Sequence, residues 1–372
     1  LGEVDEGGNT FVISEADLLA NDTDLDGDTL SVLDMTIDPS QGTITNNFDG
    51  TWTYTSPADS LPFSGNATIT YSAYDGDAVD TATFDIRVFN VITGTPGDDT
   101  INREDVNTPH KFISLDGNDV VTGSNERDIF IAANGDNTFY GEEGNDDFYV
   151  MGTLTGTNIF HGGLGSDKIF GSSGDDSVTI AEFSSIGEIN LGTGNDTIYG
   201  TANDDTYTVE TNLEIIAESW IGNGGNDTIL GTSSNNRIDL SSVYTMTGFT
   251  KIDGQGGQDI IQGSQSTDHI YASEGEDNLY GNDGDDFFYV VGTGNFNDPD
   301  GYHGGDGYDT ILGSDGDDDI AIDGTSYRGF EGIEEIDGGA GYNRILGDDY
   351  GSIISDVLDF SDTVLLNIDL ID

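Results

Sequence analysis

Large apolar residues recur at a fixed distance from acidic turns, beginning near residue 94. Asp119, Asp128, Asn137 and Asp146 stand nine residues apart, and a second run with the same spacing begins at Asp259. Eighteen turn residues of this type, aspartate or asparagine, are followed two places later by a large apolar residue. These apolar residues are Ile101, Val121, Phe130, Phe139, Phe148, Ile169, Val178, Ile198, Tyr207, Ile229, Ile238, Ile261, Ile270, Leu279, Phe288, Ile311, Ile320 and Ile345. A disordered acidic chain would not keep this register, so the pattern predicts folded structure.

The nine-residue spacing predicts a short strand after each turn. Side chains alternate between the two faces of a strand, so only the apolar middle residue of three points inward. Two repeats would close one coil, and each turn would stack on the turn two repeats later. The pattern therefore indicates stacked parallel coils with a filled core, and we expect the aspartates to face outward at the turns.

The first 91 residues carry a different pattern, made of short alternating or β-branched runs. These runs are TFVIS (10–14), TLSVL (29–33), GTITNN (42–47), TWTYT (51–55), ATITYSAY (67–74) and TATFDIRVFNV (81–91). Gly, Asp, Asn and Pro separate them, which is typical of a β-sandwich. We expect Trp52, Tyr54, Tyr71 and Phe84 in its core. The sequence as a whole predicts an all-β protein, with this sandwich followed by a parallel β-roll or β-helix.

A longer period lies above the nine-residue one. The run that begins at Asp119 and the run that begins at Asp259 are followed by similar segments. Self-similarity at a fixed distance indicates a duplicated unit, here of about 140 residues. The second region, residues 92–372, is therefore expected to consist of tandem units, roughly 94–236 and 237–372.

Longer inserts with their own apolar pattern separate pairs of repeats. They are TIAEFSSIGEINLG (179–192), VETNLEIIAESWIG (209–222), DLSSVYTMTGFTKIDG (239–254) and DGTSYRGFEGIEEIDG (323–338). We expect wider coils there, with at least one extra strand per coil and with equivalent turns about 29 to about 34 residues apart. Such coils would join β-roll segments to a parallel β-helix.

The chain is strongly acidic. It has 72 Asp and Glu residues but only 9 Lys and Arg residues, which gives a formal net charge of −63. Nucleic-acid binding requires clustered cations that this chain lacks, and insertion into a membrane is equally unexpected. Self-repulsion of this size opposes compaction, so the fold is expected to need a bound cation. The chain has no cysteine, which excludes disulfides and thiolate metal sites.

The segment GGLGSDKIF (162–170) combines the parts of a hard-cation site. Its glycines let backbone carbonyls curl around an ion, and its aspartate supplies a carboxylate; calcium takes about six to eight such oxygens. This segment and GGDGYDTIL (304–312) resemble the RTX, or haemolysin-type, calcium-binding repeat. The resemblance covers roughly residues 94–350 and implies a parallel β-roll with calcium between coils. The segment LLANDTDLDGDTLSV (18–32) resembles the cadherin-like, immunoglobulin-like repeats of large bacterial surface proteins.

The repeat aspartates are the predicted calcium ligands. They are Asp99, Asp119, Asp128, Asp146, Asp167, Asp176, Asp196, Asp205, Asp227, Asp259, Asp268, Asp277, Asp286, Asp309 and Asp318. Three pairs are expected to form the best sites: Asp128 with Asp146, Asp259 with Asp277, and Asp268 with Asp286. Asn137, Asn236 and Asn343 replace the aspartate, so sites there should be weaker or absent.

A separate candidate calcium site lies in the N-terminal region. The stretch NDTDLDGD (21–28) offers Asp24 and Asp26 as ligands, and the alternative is an acidic turn exposed to solvent. No glutamate stands at the twelfth place of a loop beginning at Asp22, which argues against an EF-hand.

Catalytic chemistry has little support in this sequence. The chain has four His, no Cys, no Gly-x-Ser-x-Gly elbow and no His-Glu-x-x-His spacing. Carboxylate pairs of the glycosidase type abound, but calcium explains their regular positions better. We therefore predict that the chain is not an enzyme. His161 and His303 occupy equivalent places before Gly-Gly, where a structural role is favoured over a role as ligand or base.

These features predict a calcium-stabilised extracellular module of a large secreted bacterial RTX adhesin or surface protein, which folds on calcium binding after export. The resemblance implies type I secretion. The module would be a monomeric segment of a longer chain. One alternative is a calcium-dependent module that binds cell-surface or matrix polysaccharide through exposed aromatics. The candidates for that platform are Trp220, Tyr302, Tyr308 and Tyr342, and the favoured alternative for these side chains is packing within the coil. A less favoured alternative is a β-helix enzyme that acts on polysaccharide.

Overall fold

The computed structural model describes residues 2–25, 27–58, 63–104, 106–290, 300–322, 330–347 and 363–371. Over these residues the chain is almost entirely β-strand, with one short helix, α1 (Glu15–Leu18). Buried apolar side chains form two hydrophobic cores in the described part of the chain, one near the N-terminus and one through the remainder. The predicted all-β class is confirmed.

The N-terminal region is a sandwich of two sheets. Its strands are β1 (Gly2–Asp5), β2 (Thr10–Ser14), β3 (Ser31–Ile37), β4 (Thr43–Asn46), β5 (Thr51–Thr55), β6 (Gly65–Tyr74) and β7 (Val79–Thr93). One sheet runs β3-β6-β7 with β1 parallel to β7, and the other runs β2-β5-β4. Trp52 and Tyr54 of one sheet are buried in the same core as Ile69 and Tyr71 of the other, and half-buried Phe84 packs against that core.

The remaining strands are mostly short. They are β8 (Thr100–Asn102), β9 (His110–Ile113), β10 (Val120–Thr122), β11 (Ile129–Ile131), β12 (Asn137–Tyr140), β13 (Asp147–Tyr149), β14 (Thr153–His161), β15 (Asp167–Ser172), β16 (Ser177–Ser184), β17 (Ile186–Gly192), β18 (Thr197–Tyr199), β19 (Thr206–Thr208), β20 (Asn212–Ile216), β21 (Ser219–Ile221), β22 (Asp227–Thr232), β23 (Arg237–Asp239), β24 (Thr245–Thr247), β25 (Phe249–Gln255), β26 (Ile260–Gln262), β27 (His269–Ala272), β28 (Asn278–Asp283), β29 (Phe287–Val290), β30 (Gly301–Asp306), β31 (Thr310–Leu312), β32 (Asp319–Ile322), β33 (Phe330–Glu331), β34 (Glu335–Asp337), β35 (Arg344–Gly347), β36 (Val364–Leu366) and β37 (Leu370–Ile371).

These strands stack in parallel as a solenoid of about eleven coils. One stack runs from β9 through β11 and β13 to β33, and the opposite stack runs from β8 through β10 and β12 to β36. Phe130 registers with Phe112 and Phe148 in the neighbouring coils, with ring centroids 4.9 Å and 4.7 Å apart. Of the eighteen apolar residues predicted to point inward, seventeen are buried, and Ile101 is half-buried against the core. The predicted inward positions are confirmed.

Strand β7 joins the sandwich to the solenoid directly. Its first part pairs with β6, and residues 90–93 pair in parallel with β9. Across the junction the ammonium of Lys111 lies 3.0 Å from the carboxylate of Asp5, and Arg127 forms an ion pair with Glu3. One sheet of the sandwich therefore continues into one stack of the solenoid. The division into residues 1–91 and 92–372, and the two tandem units, stay predictions.

The wide coils contain a third strand, as the inserts predicted. Strands β18, β21 and β24 stack beside β16, off the main path of the sheet. They place Ile198, Trp220 and Met246 in the core. Near the C-terminus, β32, β35 and β37 form a separate parallel sheet of the same kind.

In the wide coils from β15 to β23, stacked residues are separated by fewer positions along the chain than the spacing of equivalent turns predicted. That prediction is wrong there. Ile169 registers with Ile189, and Ile189 registers in turn with Ile215. The reason is that each insert supplies its own strand to the main stack, as β17 does within 179–192. The next full repeat is therefore not the stacking partner.

Candidate metal sites

The repeat aspartates lie in the turns before the strands, but they are buried instead of facing outward as expected. The buried ones are Asp119, Asp128, Asp146, Asp167, Asp176, Asp196, Asp205, Asp227, Asp259, Asp268, Asp277, Asp286, Asp309 and Asp318. Asp99, in the first turn, is half-buried. Stacked turns approach closely enough to cover these side chains: a Cβ on Gly165 would overlap the carbonyl oxygen of Gly144 in the preceding coil.

Backbone hydrogen bonds link successive turn carboxylates into ladders, in which the N–H of one residue donates to a side-chain oxygen in the next coil. The three predicted pairs are adjacent in this way: Asp128 with Asp146 (2.7 Å), Asp259 with Asp277 (2.9 Å) and Asp268 with Asp286 (2.8 Å). Seven ladders form among the described residues: Asp99 with Asp119 and Asn137; Asp128 with Asp146 and Asp167; Asp176 with Asp196 and Glu218; Asp205 with Asp227; Asn236 with Asp259, Asp277 and Asp300; Asp268 with Asp286, Asp309 and Glu334; Asp318 with Asn343 and Asp369.

Four carboxylates extend these ladders although the sequence did not single them out. They are Glu218, Asp300, Glu334 and Asp369. None stands at the aspartate place of a nonapeptide. Glu218 accepts the N–H of Asp196 at 2.8 Å, across a separation along the chain that is set by the length of a wide coil. Only the register of the coils could reveal them.

Eight of the described buried aspartates have an Oδ2 atom with no hydrogen-bond partner, and we call them the open aspartates. They are Asp119, Asp146, Asp167, Asp196, Asp227, Asp259, Asp286 and Asp309. Burying a charged oxygen without compensation costs several kcal/mol, about 3–5 kcal/mol where one partner of a buried ion pair is removed. A cation beside Oδ2 would supply that compensation.

Each open aspartate follows, by four positions, a residue in the left-handed backbone region. These residues are Leu115, Glu142, Gly163, Gly192, Asn223, Gln255, Asn282 and Gly305, with φ between 63° and 110°. A side chain makes this conformation unfavourable, yet Leu115, Glu142 and Gln255 adopt it. Strain of this kind, repeated at equivalent places, indicates a constraint set by the site.

The space beside Oδ2 is bounded by oxygen atoms and is kept open by glycine. A Cβ on Gly141 would overlap Oδ2 of Asp146 and the carbonyl oxygen of Gly162 in the next coil, and Gly281 approaches Asp286 in the same way. In the described part of the chain, no three His, Asp or Glu side chains converge as a metal cluster. A site here would therefore take one or two carboxylates together with backbone carbonyls. That oxygen-only donor set fits calcium.

Burial raises the pKa of several open aspartates. Desolvation raises the pKa of Asp146 to about 9 and that of Asp286 to about 8, and neighbouring carboxylates add to the effect. The pKa of Asp167, Asp259 and Asp309 rises to about 6 for the same main reason. Without a cation, Asp146 and Asp286 would therefore hold protons at neutral pH.

A second group of turn side chains is capped by the protein itself. The Ser124 N–H donates to Oδ2 of Asp128 at 2.5 Å, and the Ser124 hydroxyl donates to Oδ1 at 3.1 Å. The same cap, a serine or threonine four residues earlier, defines the seven capped positions: Thr95 on Asp99, Ser124 on Asp128, Ser172 on Asp176, Thr201 on Asp205, Thr232 on Asn236, Ser264 on Asp268, and Ser314 on Asp318. Burial still raises the pKa of Asp268 to about 7, although the bonds from Ser264 lower it.

The asparagines place an amide where the open aspartates have a bare oxygen. Nδ2 of Asn137 donates to the carbonyls of Ala133 (2.9 Å) and Gly135 (3.2 Å), and Nδ2 of Asn343 donates to that of Asn367 (3.1 Å). These N–H groups use carbonyls that a cation would otherwise use. That weaker or absent sites occur there stays a prediction with this physical basis.

The N-terminal acidic turn is less organised than the solenoid turns. Asp24 accepts the Asp28 N–H at 2.9 Å, and the Tyr71 hydroxyl donates to Asp22 at 3.1 Å. Asp26 lies outside the described residues. A calcium site formed by Asp24 and Asp26 stays a prediction.

The two repeat histidines pack against tyrosines of the preceding coil. His161 stacks on Tyr140 with centroids 4.8 Å apart, and its Nδ1 lies 2.9 Å from the Ser184 hydroxyl. His303 stacks on Tyr280 at 4.4 Å with the rings 5° from parallel. This shared stacking favours the structural role over that of ligand or base.

The predicted aromatic platform is wrong for two of its four members. Trp220 and Tyr302 are fully buried, whereas Tyr308 and Tyr342 are 47% and 52% exposed. Trp220 is the middle residue of β21, the extra strand of a wide coil, so its side chain points into the core. The hydroxyl of Tyr302, in β30, donates to the carboxylate of Asp300, just before that strand.

The coils stack on one continuous core, and their glycine–aspartate turns place carboxylate and carbonyl oxygens side by side. The chain is therefore a solenoid of repeats whose turns have the oxygen donors that a hard cation prefers. Residues 1–89 match the family described as cadherin-like domain. Seven segments match the RTX calcium-binding nonapeptide repeat: 113–148, 153–179, 188–209, 221–242, 253–288, 300–321 and 328–349. Together they cover about half of the chain, which therefore belongs to the RTX calcium-binding nonapeptide repeat family. A search of curated proteins found no match.

Proposed function

We propose that the chain is a calcium-stabilised extracellular module of a large secreted bacterial RTX adhesin or surface protein. The observation that carries this proposal is the set of eight buried carboxylate oxygens, among the described residues, that the protein itself does not pair. They belong to a chain of net charge −63 with only 9 Lys and Arg residues. Bound calcium would supply the missing positive charge where the turns stack.

The open aspartates and nearby carbonyls would hold the ions. Calcium supplies a charge that offsets the repulsion between stacked carboxylates, and the chain supplies preformed oxygen cradles. Because the cradles exist only when coils stack, the free energy of calcium binding becomes free energy of folding. Removal of calcium should therefore loosen the solenoid as a whole.

The proposal also covers location. RTX repeats are typical of proteins secreted by the type I route, and extracellular calcium sites are tuned to about 10⁻⁴–10⁻³ M. A polyanionic chain would stay open where calcium is scarce and would become compact outside the cell. No helix of the described residues is long and apolar enough to cross a bilayer. The role proposed is structural and adhesive, not catalytic.

Calcium titration into chelator-treated protein tests the proposal. We expect circular dichroism to report a gain of β-structure and calorimetry to report a rise in melting temperature, both saturating near millimolar calcium. Magnesium at the same concentration is the control, because its strict octahedral preference suits these carbonyl cradles poorly. Equal structure and equal melting temperature with and without calcium would refute the proposal.

A second candidate, polysaccharide binding, is favoured by an outward aromatic cluster on the solenoid. Tyr271 and Tyr289 stack at 4.6 Å, His269 stacks on Phe287, and the ammonium of Lys251 lies 4.8 Å from the Tyr271 ring centroid. These side chains alternate with buried ones along β27 and β29, so they face away from the core. Flat aromatic faces of this kind can pack against sugar rings.

A glycan-array measurement on the calcium-loaded chain tests this second candidate. We expect Tyr271→Ala to remove any glycan signal, while Tyr244→Ala, at a residue 67% exposed elsewhere on the solenoid, keeps it. Glycan binding that is unchanged in Tyr271→Ala would exclude the cluster as the binding surface.

A further inference from the structure

The seven capped positions share a place in the ladders as well as the Ser or Thr cap. Every ladder among the described residues begins, at its N-terminal coil, with a capped position: Asp99, Asp128, Asp176, Asp205, Asn236, Asp268 and Asp318. Every open aspartate stands at the second or third rung. The two groups do not overlap in any of these ladders.

The capped carboxylates are satisfied by protein donors alone. Asp128 accepts the His110 N–H and the Ser124 N–H, both at 2.5 Å, together with the Ser124 hydroxyl. Asp176 accepts the N–H and the hydroxyl of Ser172 and the N–H of Gly152. In both residues the protein's own N–H and O–H groups reach both carboxylate oxygens, which leaves neither oxygen without a hydrogen-bond partner.

The preceding coil explains why the first rung needs such a cap. In the ladders that begin at Asp128 and Asp176, the coil before presents His110 and Gly152, which donate an N–H but bring no carboxylate. A cation held there would have no acidic partner in that coil. The Ser or Thr cap completes the carboxylate by hydrogen bonds instead, and the N–H of the capped residue still positions Oδ1 of the second rung.

We propose that the capped positions are cation-free starting rungs and that calcium binds only from the second rung onward, at the eight open aspartates. The proposal rests on the calcium-dependent function proposed above and assigns which repeats carry the ions. Fourteen of the fifteen aspartates predicted as ligands would then divide by the residue four positions earlier, and Asp277, a third rung, belongs to neither group. A left-handed residue there marks a binding turn, and a capping Ser or Thr marks a starting rung.

Paired substitutions within one ladder test this division. Calorimetric titration should find at least one calcium fewer per chain in Asp146→Asn than in the unmodified protein. Asp128→Asn, its capped neighbour, should keep the full number, because protein donors and not a cation hold the oxygens of Asp128. The calcium-induced rise in melting temperature should shrink for Asp146→Asn and stay unchanged for Asp128→Asn.

A second pair, Asp286→Asn and Asp268→Asn, repeats the comparison in another ladder in case one variant does not fold. Anomalous scattering from crystals of the unmodified protein grown with calcium should place ions beside the open aspartates and none beside capped ones. Loss of calcium from Asp128→Asn or Asp268→Asn equal to that of its partner variant, or ions beside capped carboxylates, would overturn the inference. Failure of the unmodified protein to bind calcium would instead overturn the proposed function.

Discussion

At the scale of single residues, Asn343 combines the backbone of an open-aspartate turn with an amide side chain. Gly339, four positions earlier, is left-handed with φ 75°, as at the open aspartates. The side chain is buried, and Oδ1 accepts the Asp318 N–H at 3.0 Å. The amide nitrogen, which donates to the carbonyl of Asn367, stands where the open aspartates have an Oδ2 without a hydrogen-bond partner.

Asn343→Asp should therefore create a site. We expect one additional calcium per chain by calorimetric titration, because the new carboxylate oxygen would join carbonyls that the amide now uses. In chelator, the loss of the amide bonds should lower the free energy of unfolding by about 1–3 kcal/mol. Asn66→Asp, on an exposed residue of β6, is the control for added charge and should change neither quantity. An unchanged calcium number in Asn343→Asp would show that the left-handed turn alone does not make a site.

At the scale of elements, strands as short as three residues bury one side chain each, and stacking makes that side chain part of a continuous column. In the narrow coils phenylalanines fill the column, as Phe130 and Phe148 do. In the wide coils the extra strand enlarges the core, and Trp220 fills it between Tyr207 and Phe249 with centroids 4.9 Å and 4.8 Å apart. The inserts are therefore core-building elements.

Trp220→Ala should lower the free energy of unfolding by about 3–5 kcal/mol, because it removes a large side chain that no neighbour can replace. Tyr342→Ala removes an aromatic that is 52% exposed and should change stability by less than about 0.5 kcal/mol. Urea unfolding of both variants in saturating calcium measures the difference. Equal, small effects would mean that the wide coils do not depend on this core.

At the scale of the whole molecule, we expect calcium and protons to compete for the same buried carboxylates. The folded-state pKa of Asp146 is about 9 and that of Asp286 about 8, well above the ordinary aspartate value of 3.8. Because the folded state binds these protons more tightly than the unfolded chain does, their stabilisation is fully present below about pH 4 and is lost as pH rises through 8 and 9.

Chelated protein should therefore be more stable at pH 5 than at pH 8.5, with a difference in unfolding free energy on the order of several kcal/mol. Calcium-loaded protein should show the opposite trend near pH 5, because protons displace calcium from its ligands. Thermal unfolding at both pH values, in chelator and in calcium, measures whether the two pH trends of stability have opposite signs. A chelated protein whose melting temperature is equal at pH 5 and pH 8.5 would show that these carboxyls do not hold protons in the fold.

Much of the fold was predictable because residues close together in the sequence determine each turn and the strand that follows it. An aspartate two residues before an apolar residue sets both the turn and the inward side chain, so the core column and the adjacency of the three predicted aspartate pairs followed from spacing. The runs of the first 91 residues predicted the sandwich strands for the same reason. Coil length in the wide region was not predictable, because it depends on which strand of an insert joins the main stack.

The all-β class, the repeat turns and the acidic charge follow from the order of the residues alone, and the same pattern predicts a need for a hard cation. The tertiary structure alone decided that the carboxylates are buried, that Trp220 lies inside, and that Glu218 completes a ladder. It also showed what a Ser or Thr four residues before a turn aspartate does, namely cap that carboxylate, although the sequence already displays the pair. The physical reason is that hydrogen-bond partners of a turn come from the neighbouring coil, and which coil lies next is a property of stacking that no single repeat encodes.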